Sequence, residues 1–269
     1  KKSFIISLPF WTVSAIYFIL RLTVFNFQNT LNFYAQPNLY TENLFYRLFT
    51  FGHALIDYFK IIFWPVGLHM ERDLPIHTSL FEWPVWFGAL ITLGIVLVGF
   101  ILYKRENQIR NSHHSHEIRI LASRIWFFSW AWFFVALGPV SGIIPINALI
   151  YEHWLYMPLV GLAALAGFYA DKLFNFLKTN HKVLFVIWIL SFGIYVSFLG
   201  FQSVKRNILW GKPIEFYEDI LGYSPSSVRV TTNLANLYLE KGDLVKAESL
   251  LKKAIENPDG NIFAQPHYN

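Results

Sequence analysis

A small set of polar side chains stands on short segments between long apolar runs, and their types suit the handling of an anion and a hydroxyl group. Arg72 and His153 could contact a phosphate, and Glu152 could orient a hydroxyl or an arginine. His69, Glu71 and Asp73 flank Arg72, while Arg47 lies nearer the amino terminus on an amphipathic stretch. Glu152 and Tyr156 are four residues apart, which on a helix places both on one face and aims them at the same cavity. Ionisable groups near membrane depth are costly unless they are paired or put to use. The competing reading, solvated charges in interfacial loops, stays open for each of them.

The chain that must position these groups is too oily for a soluble domain. Of its 269 residues 55% are hydrophobic and only 14% charged, which places it among integral membrane proteins. Ten Trp and fourteen Tyr suit a chain crossing two membrane interfaces, where amphipathic rings settle at headgroup level. The net charge of +5 is spread over connecting loops rather than gathered in one stripe, which argues against a nucleic-acid partner. The absence of Cys excludes disulfides, thiol catalysis and thiolate metal sites. The Lys1-Lys2 start and the stop at Asn269 within a helical pattern read as a piece cut at both ends.

Five segments approach the length that crosses a hydrocarbon core of ~30 Å at ~1.5 Å per residue. They are Phe4 to Leu20, Pro84 to Tyr103, Ile125 to about Ile144, Trp154 to Ala170 and Val183 to Phe201. A further stretch, Tyr46 to Val66, carries Arg47, His53, Asp57 and Lys60. The last three line one side of a helix, with Leu48, Phe51, Leu55, Phe59 and Ile62 on the other. It is expected to be interfacial or re-entrant, the alternative being a spanning helix whose polar stripe faces the bundle interior. Lys104, Arg105, Arg110, Arg119 and Arg124 mark one loop as cytoplasmic, and Lys172, Lys178 and Lys182 another. Asn147 to His153 then lies outside, as does everything after the last span.

From Thr231 the chain reads TTNLANLYLEKGDLVKAESLLKKAIENPDG, two amphipathic helices broken at Gly242-Asp243. Leu234, Ala235 and Tyr238 have the spacing of the first helix of a tetratricopeptide repeat, and Ala247, Leu251 and Ala254 that of the second. Gly242 suits a left-handed helix cap and Asp243 an amino-terminal cap. The tail AQPHYN resembles the opening of another repeat. Since one repeat cannot bury its own faces, more are expected to follow. The expected fold is all-α. A polytopic transmembrane bundle of about five spans, plus the interfacial or re-entrant helix, occupies residues 1–203. A helical connector over 204–226 leads to an α-solenoid tetratricopeptide repeat over 227–269.

Two segments carry a wider resemblance: TENLFYRLFTFGHALIDYFKIIFWPVGLHMERDLP and GPVSGIIPINALIYEHWLYMPLVGL. Arg47, Leu48, Thr50 and Phe51, leading to Pro65, Leu68 and nearby Asp73, form one motif, and Glu152, Tyr156 and Pro158 form the other. Together they resemble the second half of the transmembrane-and-tetratricopeptide-repeat proteins, relatives of protein O-mannosyltransferases. His153 stands where that family usually has Arg, and Asp73 lies beyond the family's acidic position. The resemblance covers about residues 1 to 260. It implies a membrane glycosyltransferase that uses a polyprenyl-phosphate-linked sugar as donor substrate, with no tightly bound cofactor and no metal. A polypeptide acceptor or partner would be bound by the repeats on the extracytoplasmic side; richness in Lys, Asn, Phe and Ile without Cys favours a prokaryotic plasma (inner) membrane, the endoplasmic reticulum lumen being the eukaryotic alternative. Such transfer needs a general base near the acceptor hydroxyl and cationic groups on the departing phosphate. The resemblance places the base in an earlier external loop, so the catalytic residue is expected upstream of Lys1. Arg47, His69, Arg72, Asp73, Glu152, His153 and Tyr156 are the substrate-binding candidates. A noncatalytic membrane-anchored repeat scaffold is the alternative.

Three features read as architecture. His113, His114 and His116 form a tract in a polar loop that suits a solvated linker better than a metal site. Gly138, Pro139, Gly142 and Pro145 suit the kinking or ending of the third span. Arg206, Asn207 and Trp210 resemble the family's lead-in to its first repeat.

Overall fold

The computed structural model describes residues 2–23, 39–109, 116–146 and 148–257. Lys1, Arg110, His113, His114, Asn147, Pro258 and the AQPHYN tail lie outside them, as does the expected opening of another repeat. Among the described residues the chain is helical, with no strand.

The amino-terminal helices are α1 (Lys2–Thr23), α2 (Leu39–Glu42) and α3 (Leu44–Phe63). Long helices follow: α4 (Trp83–Ile109), α5 (His116–Leu137), α6 (Tyr156–Asn180) and α7 (Lys182–Trp210). The carboxy-terminal unit comprises α8 (Pro213–Tyr223), α9 (Val228–Glu240) and α10 (Leu244–Glu256). Among the described residues, three stretches are long and apolar enough to cross a membrane: Trp83–Arg105, Glu152–Asn180 and Lys182–Trp210. α1 and α5, which hold the first and third apolar segments, are each helical over 22 residues.

Prolines account for the places where helices end short of the apolar pattern. α3 stops at Phe63 rather than Val66, because Pro65 disfavours helical geometry at Trp64, whose φ is −136° and ψ 76°. The apolar run of the third segment reaches Ile144, yet α5 ends at Leu137. There Gly138–Val140 tightens into a 3-10 turn with Pro139 inside it. At the other end of α3, the Asn43 side chain accepts hydrogen bonds from the Phe45 and Tyr46 N–H groups, starting the helix two residues before the amphipathic pattern. α7 runs through residue 203 to Trp210, so the expected bundle boundary falls inside a helix. The break lies at Gly211-Lys212.

Two glycine contacts set how closely the long helices pack. A Cβ on Gly88 of α4 would lie 2.2 Å from the Gly52 carbonyl oxygen of α3. On Gly161 of α6 it would lie 2.5 Å from the Ser129 carbonyl oxygen of α5. Small residues at such crossings let backbones approach closely. The main buried cluster does not run the length of the helices. It gathers Ala54, Leu55 and Tyr58 of α3, Phe133 and Leu137 of α5, and Leu74, Ile150 and Leu155 from the loops. α7 has no buried residue.

The carboxy-terminal unit packs like a soluble protein. Leu234, Ala235 and Tyr238 of α9 and Ala247, Leu251 and Ala254 of α10 are all buried. Gly242, at φ 82°, turns the chain between them, and the Asp243 side chain caps α10 by accepting from the Lys246 N–H.

Candidate functional site

The loop leaving α3 and the 3-10 turn Glu152–Leu155 entering α6 meet beside the buried cluster. Glu152 is the joint. Its Oε1 accepts from the His69 backbone N–H at 2.8 Å and from Arg72 Nη2 at 2.5 Å. Both side chains are about four-fifths shielded, at 20% and 18% exposure. Arg72 Nε is buried and has no acceptor among the described residues. Arg72 also borders a groove of about 610 Å³ whose walls include Ile56, Phe59, Phe63, Phe87 and Ile91, with Asp57 and Lys60 as its other charged groups. Asp57 and Lys60 pair with each other at 2.8 Å. A guanidinium set at an apolar groove is suited to a phosphate that carries a hydrocarbon chain.

Gly67, at φ 66°, turns the loop beneath Tyr223, whose ring stacks on the His69 imidazole at 4.2 Å. Burial, with the Arg72 charge adding to it, holds His69 below the usual imidazole range. Its Nδ1 lies 2.5 Å from the Gly67 carbonyl oxygen.

Around this joint the carboxy-terminal unit docks on the same loops. Arg229 of α9 donates to the Tyr151 hydroxyl and lies 3.9 Å from the Glu71 carboxylate, which itself accepts from Tyr151 at 3.4 Å. Burial raises the Glu71 carboxyl above the usual range, and Arg229 opposes the shift. Ser224 Oγ donates to the Glu71 carbonyl oxygen at 3.0 Å, and Ser226 Oγ to Asp73 Oδ2 at 2.9 Å.

The remaining candidates lie elsewhere or point away. Tyr156 does not share a cavity with Glu152: it is 77% exposed. The 3-10 turn between them advances about 120° per residue instead of 100°, so four residues no longer return to one face. His153 is exposed and stacks on Tyr151 at 5.1 Å. Arg47 is buried as a structural tie. Its Nε donates to the Gly142 carbonyl oxygen at 2.6 Å and its Nη1 to those of Tyr40 and Thr41. A Cβ on Gly142, which has φ 81°, would sit 3.0 Å from Arg47 Cβ. On the apolar side of α3, Leu55 is buried, whereas Leu48 is 40% exposed.

A second polar chain escaped the sequence reading. His77 Nδ1 donates to Glu82 Oε2 at 2.5 Å, which fixes the tautomer and leaves His77 Nε2 facing His53 Nδ1 at 2.8 Å. Glu82 Oε1 also accepts from the Thr78 and Ser79 N–H groups; the His77 bond first, then those from Ser79 and Thr78, hold its carboxyl below the usual range. The Ser79-x-x-Glu82 spacing before α4 is the local signal that could have revealed the bond from the Ser79 N–H to Glu82. Nothing local pointed to His77. Among the described residues, no three His, Asp or Glu side chains converge as a metal site.

No family model matches the chain, and no solved structure matches it. Among curated proteins, the chain is similar to Protein O-mannosyl-transferase Tmtc2 of Drosophila melanogaster, 24% identical over 125 residues. The match covers 46% of this chain and 12% of that protein's length. The likeness is partial. It gives weak support to the transmembrane-and-tetratricopeptide-repeat resemblance and fits a membrane protein of glycosyltransferase type.

Proposed function

We propose that this chain belongs to a membrane glycosyltransferase that takes a polyprenyl-phosphate-linked sugar and modifies protein acceptors on the extracytoplasmic side. The observation that carries the reading is Arg72, fixed by Glu152 and bordering an apolar groove. In this reading Arg72 holds the departing lipid phosphate and its charge offsets the charge that develops there. The groove takes the isoprenoid chain. Glu152 is a positioning residue that keeps Arg72 and the His69 backbone in place. No residue of this chain is assigned as general base.

Five helices, α1 and α4 to α7, cross the bilayer in this proposal. α3 lies at the interface or re-enters, and the loops carrying Arg72 and Glu152 face outward. Basic residues where α4 meets α5 (Lys104, Arg105, Arg110, Arg119 and Arg124) and where α6 meets α7 (Lys172, Lys178 and Lys182) support that orientation. α9 and α10 are read as a tetratricopeptide repeat that binds the acceptor or a partner polypeptide. A prokaryotic plasma membrane is the proposed location.

The second reading, a noncatalytic anchored scaffold, draws on the direct docking of α8 and α9 on the loops. Transfer from a polyprenyl-phosphate sugar, assayed in detergent with the intact protein, separates the two. Arg72→Gln and Glu152→Gln should each lower turnover without removing the protein from the membrane. Unchanged turnover in both variants would sink the site assignment, and absence of transfer by the unmodified protein would favour the scaffold.

A further inference from the structure

α7 is longer than a bilayer requires. Its 29 residues rise about 43 Å, whereas a hydrocarbon core is about 30 Å thick. The apolar run from Val183 to Phe201 accounts for that core, so the helix from Gln202 onward stands at headgroup depth.

At this depth α7, α8 and the Val66–Leu68 turn enclose a cleft of about 500 Å³. Gln202 Nε2 ties the helix to the loop by donating to the Pro65 carbonyl oxygen at 3.3 Å. Three cations line the cleft against two carboxylates, leaving one positive charge in excess. Arg206 is held by Asp219 at 2.8 Å and lies over the Phe216 ring, while Lys212 is held by Glu215 at 2.8 Å. Lys205 is exposed, and its ammonium has no partner among the described residues. One turn beyond, Ile208 lines the same cleft and is 62% exposed. A surplus cation just beyond the exposed apolar side chains of Phe201 and Val204, on a helix leaving the bilayer, matches a group with one negative charge and a hydrocarbon tail.

We propose that this cleft binds the phosphodiester headgroup of a membrane phospholipid and so seats the carboxy-terminal unit on the bilayer surface. The site is distinct from the Arg72 groove. Val66 borders both, but the cleft opens between α7 and α8, whereas the groove opens between α3 and α4. Lys205 meets the phosphate, the paired Arg206 and Lys212 supply a basic wall, and the acyl chains run along the exposed side of α7. The inference does not depend on the chain being a transferase.

The test titrates the intact detergent-purified protein with a short-chain brominated phosphatidylglycerol, reading tryptophan quenching. Lys205→Gln should weaken binding roughly fivefold, the usual effect of one basic residue at a membrane surface, and Lys205→Glu should weaken it further. Arg72→Gln should bind like the unmodified protein, and inorganic phosphate should not compete. Equal binding by both Lys205 variants would overturn the proposal. So would a loss confined to Arg72→Gln, which would place the lipid in the other groove. Competition by inorganic phosphate at the lipid's own concentration would make the cleft an anion site without lipid selectivity, and would likewise overturn it. Lys205 is exposed, so thermal stability in detergent should be unchanged in its variants, and binding is then the quantity that moves.

Discussion

The Glu152–Arg72 pair is the part of the site whose strength can be measured without any substrate. Glu152→Gln removes the charge but keeps an oxygen that can accept from the His69 N–H, so the perturbation falls on the ionic part of the joint. Exposed ion pairs contribute about 1 kcal/mol or less, and breaking a fully buried one costs about 3–5 kcal/mol. With both side chains about one-fifth exposed, a coupling of about 2 kcal/mol is expected. For a chain of this size that corresponds to roughly 4–8 °C in melting temperature. The assay is thermal unfolding in detergent, followed by tryptophan fluorescence, of the unmodified protein, Glu152→Gln, Arg72→Gln and the double variant. Each single variant should melt lower, and the double variant should melt no lower than the worse single one, because neither substitution then strands a buried charge. Strictly additive losses, or a Glu152→Gln protein that melts like the original, would refute the pairing as the organising contact of the site.

Two further outcomes follow from the packing and the loop. Gly88→Ala places a methyl group against the Gly52 carbonyl, so it should part α3 from α4 and lower the melting temperature by several degrees. Gly94→Ala on the same helix meets nothing and serves as the control. His69 has a depressed pKa, so its neutral form is the one the fold favours. Its contribution is present above about pH 6.5 and is lost as pH falls through the lower folded value. Glu71 has a raised pKa and works in the opposite sense, gaining stability on protonation as pH falls. A melting series from about pH 8 to about pH 5 on the original and on His69→Phe should therefore show a shallower acid loss in the variant. Parallel curves would remove His69 from the account.

Local spacing carried the helices well and the site poorly, for a physical reason. α4, α6 and α7 are uninterrupted apolar runs, and their length alone identifies them. The helix ends shifted wherever a proline such as Pro65 or Pro139 overrode the apolar pattern. The burial of Ala235, Ala247 and Ala254 was likewise readable, since small residues one helical turn from large ones mark a close crossing. Arg72 and Glu152 could each be singled out by type, but their partnership spans 80 positions and depends on the path of a loop. Arg229 was passed over because its contacts with Tyr151 and Glu71 bridge the carboxy-terminal unit and the loops. Tyr156 misled because the spacing rule assumes an α-helix, and the chain there begins as a 3-10 turn.

Only Gly211 and Lys212 separate α7 from α8, and Ser224, Ser226 and Arg229 then fasten the next stretch to the loops. That arrangement leaves no tether whose length can vary. A flexible tether would let bound cargo sample a cloud of positions, with an effective concentration set by its length. Here the cloud shrinks toward a single placement, so whatever the carboxy-terminal helices hold is presented to the loop face at a set reach. Under the proposed function, selection would then act on where along a bound polypeptide a group sits, with reach a criterion separate from how tightly the polypeptide is held.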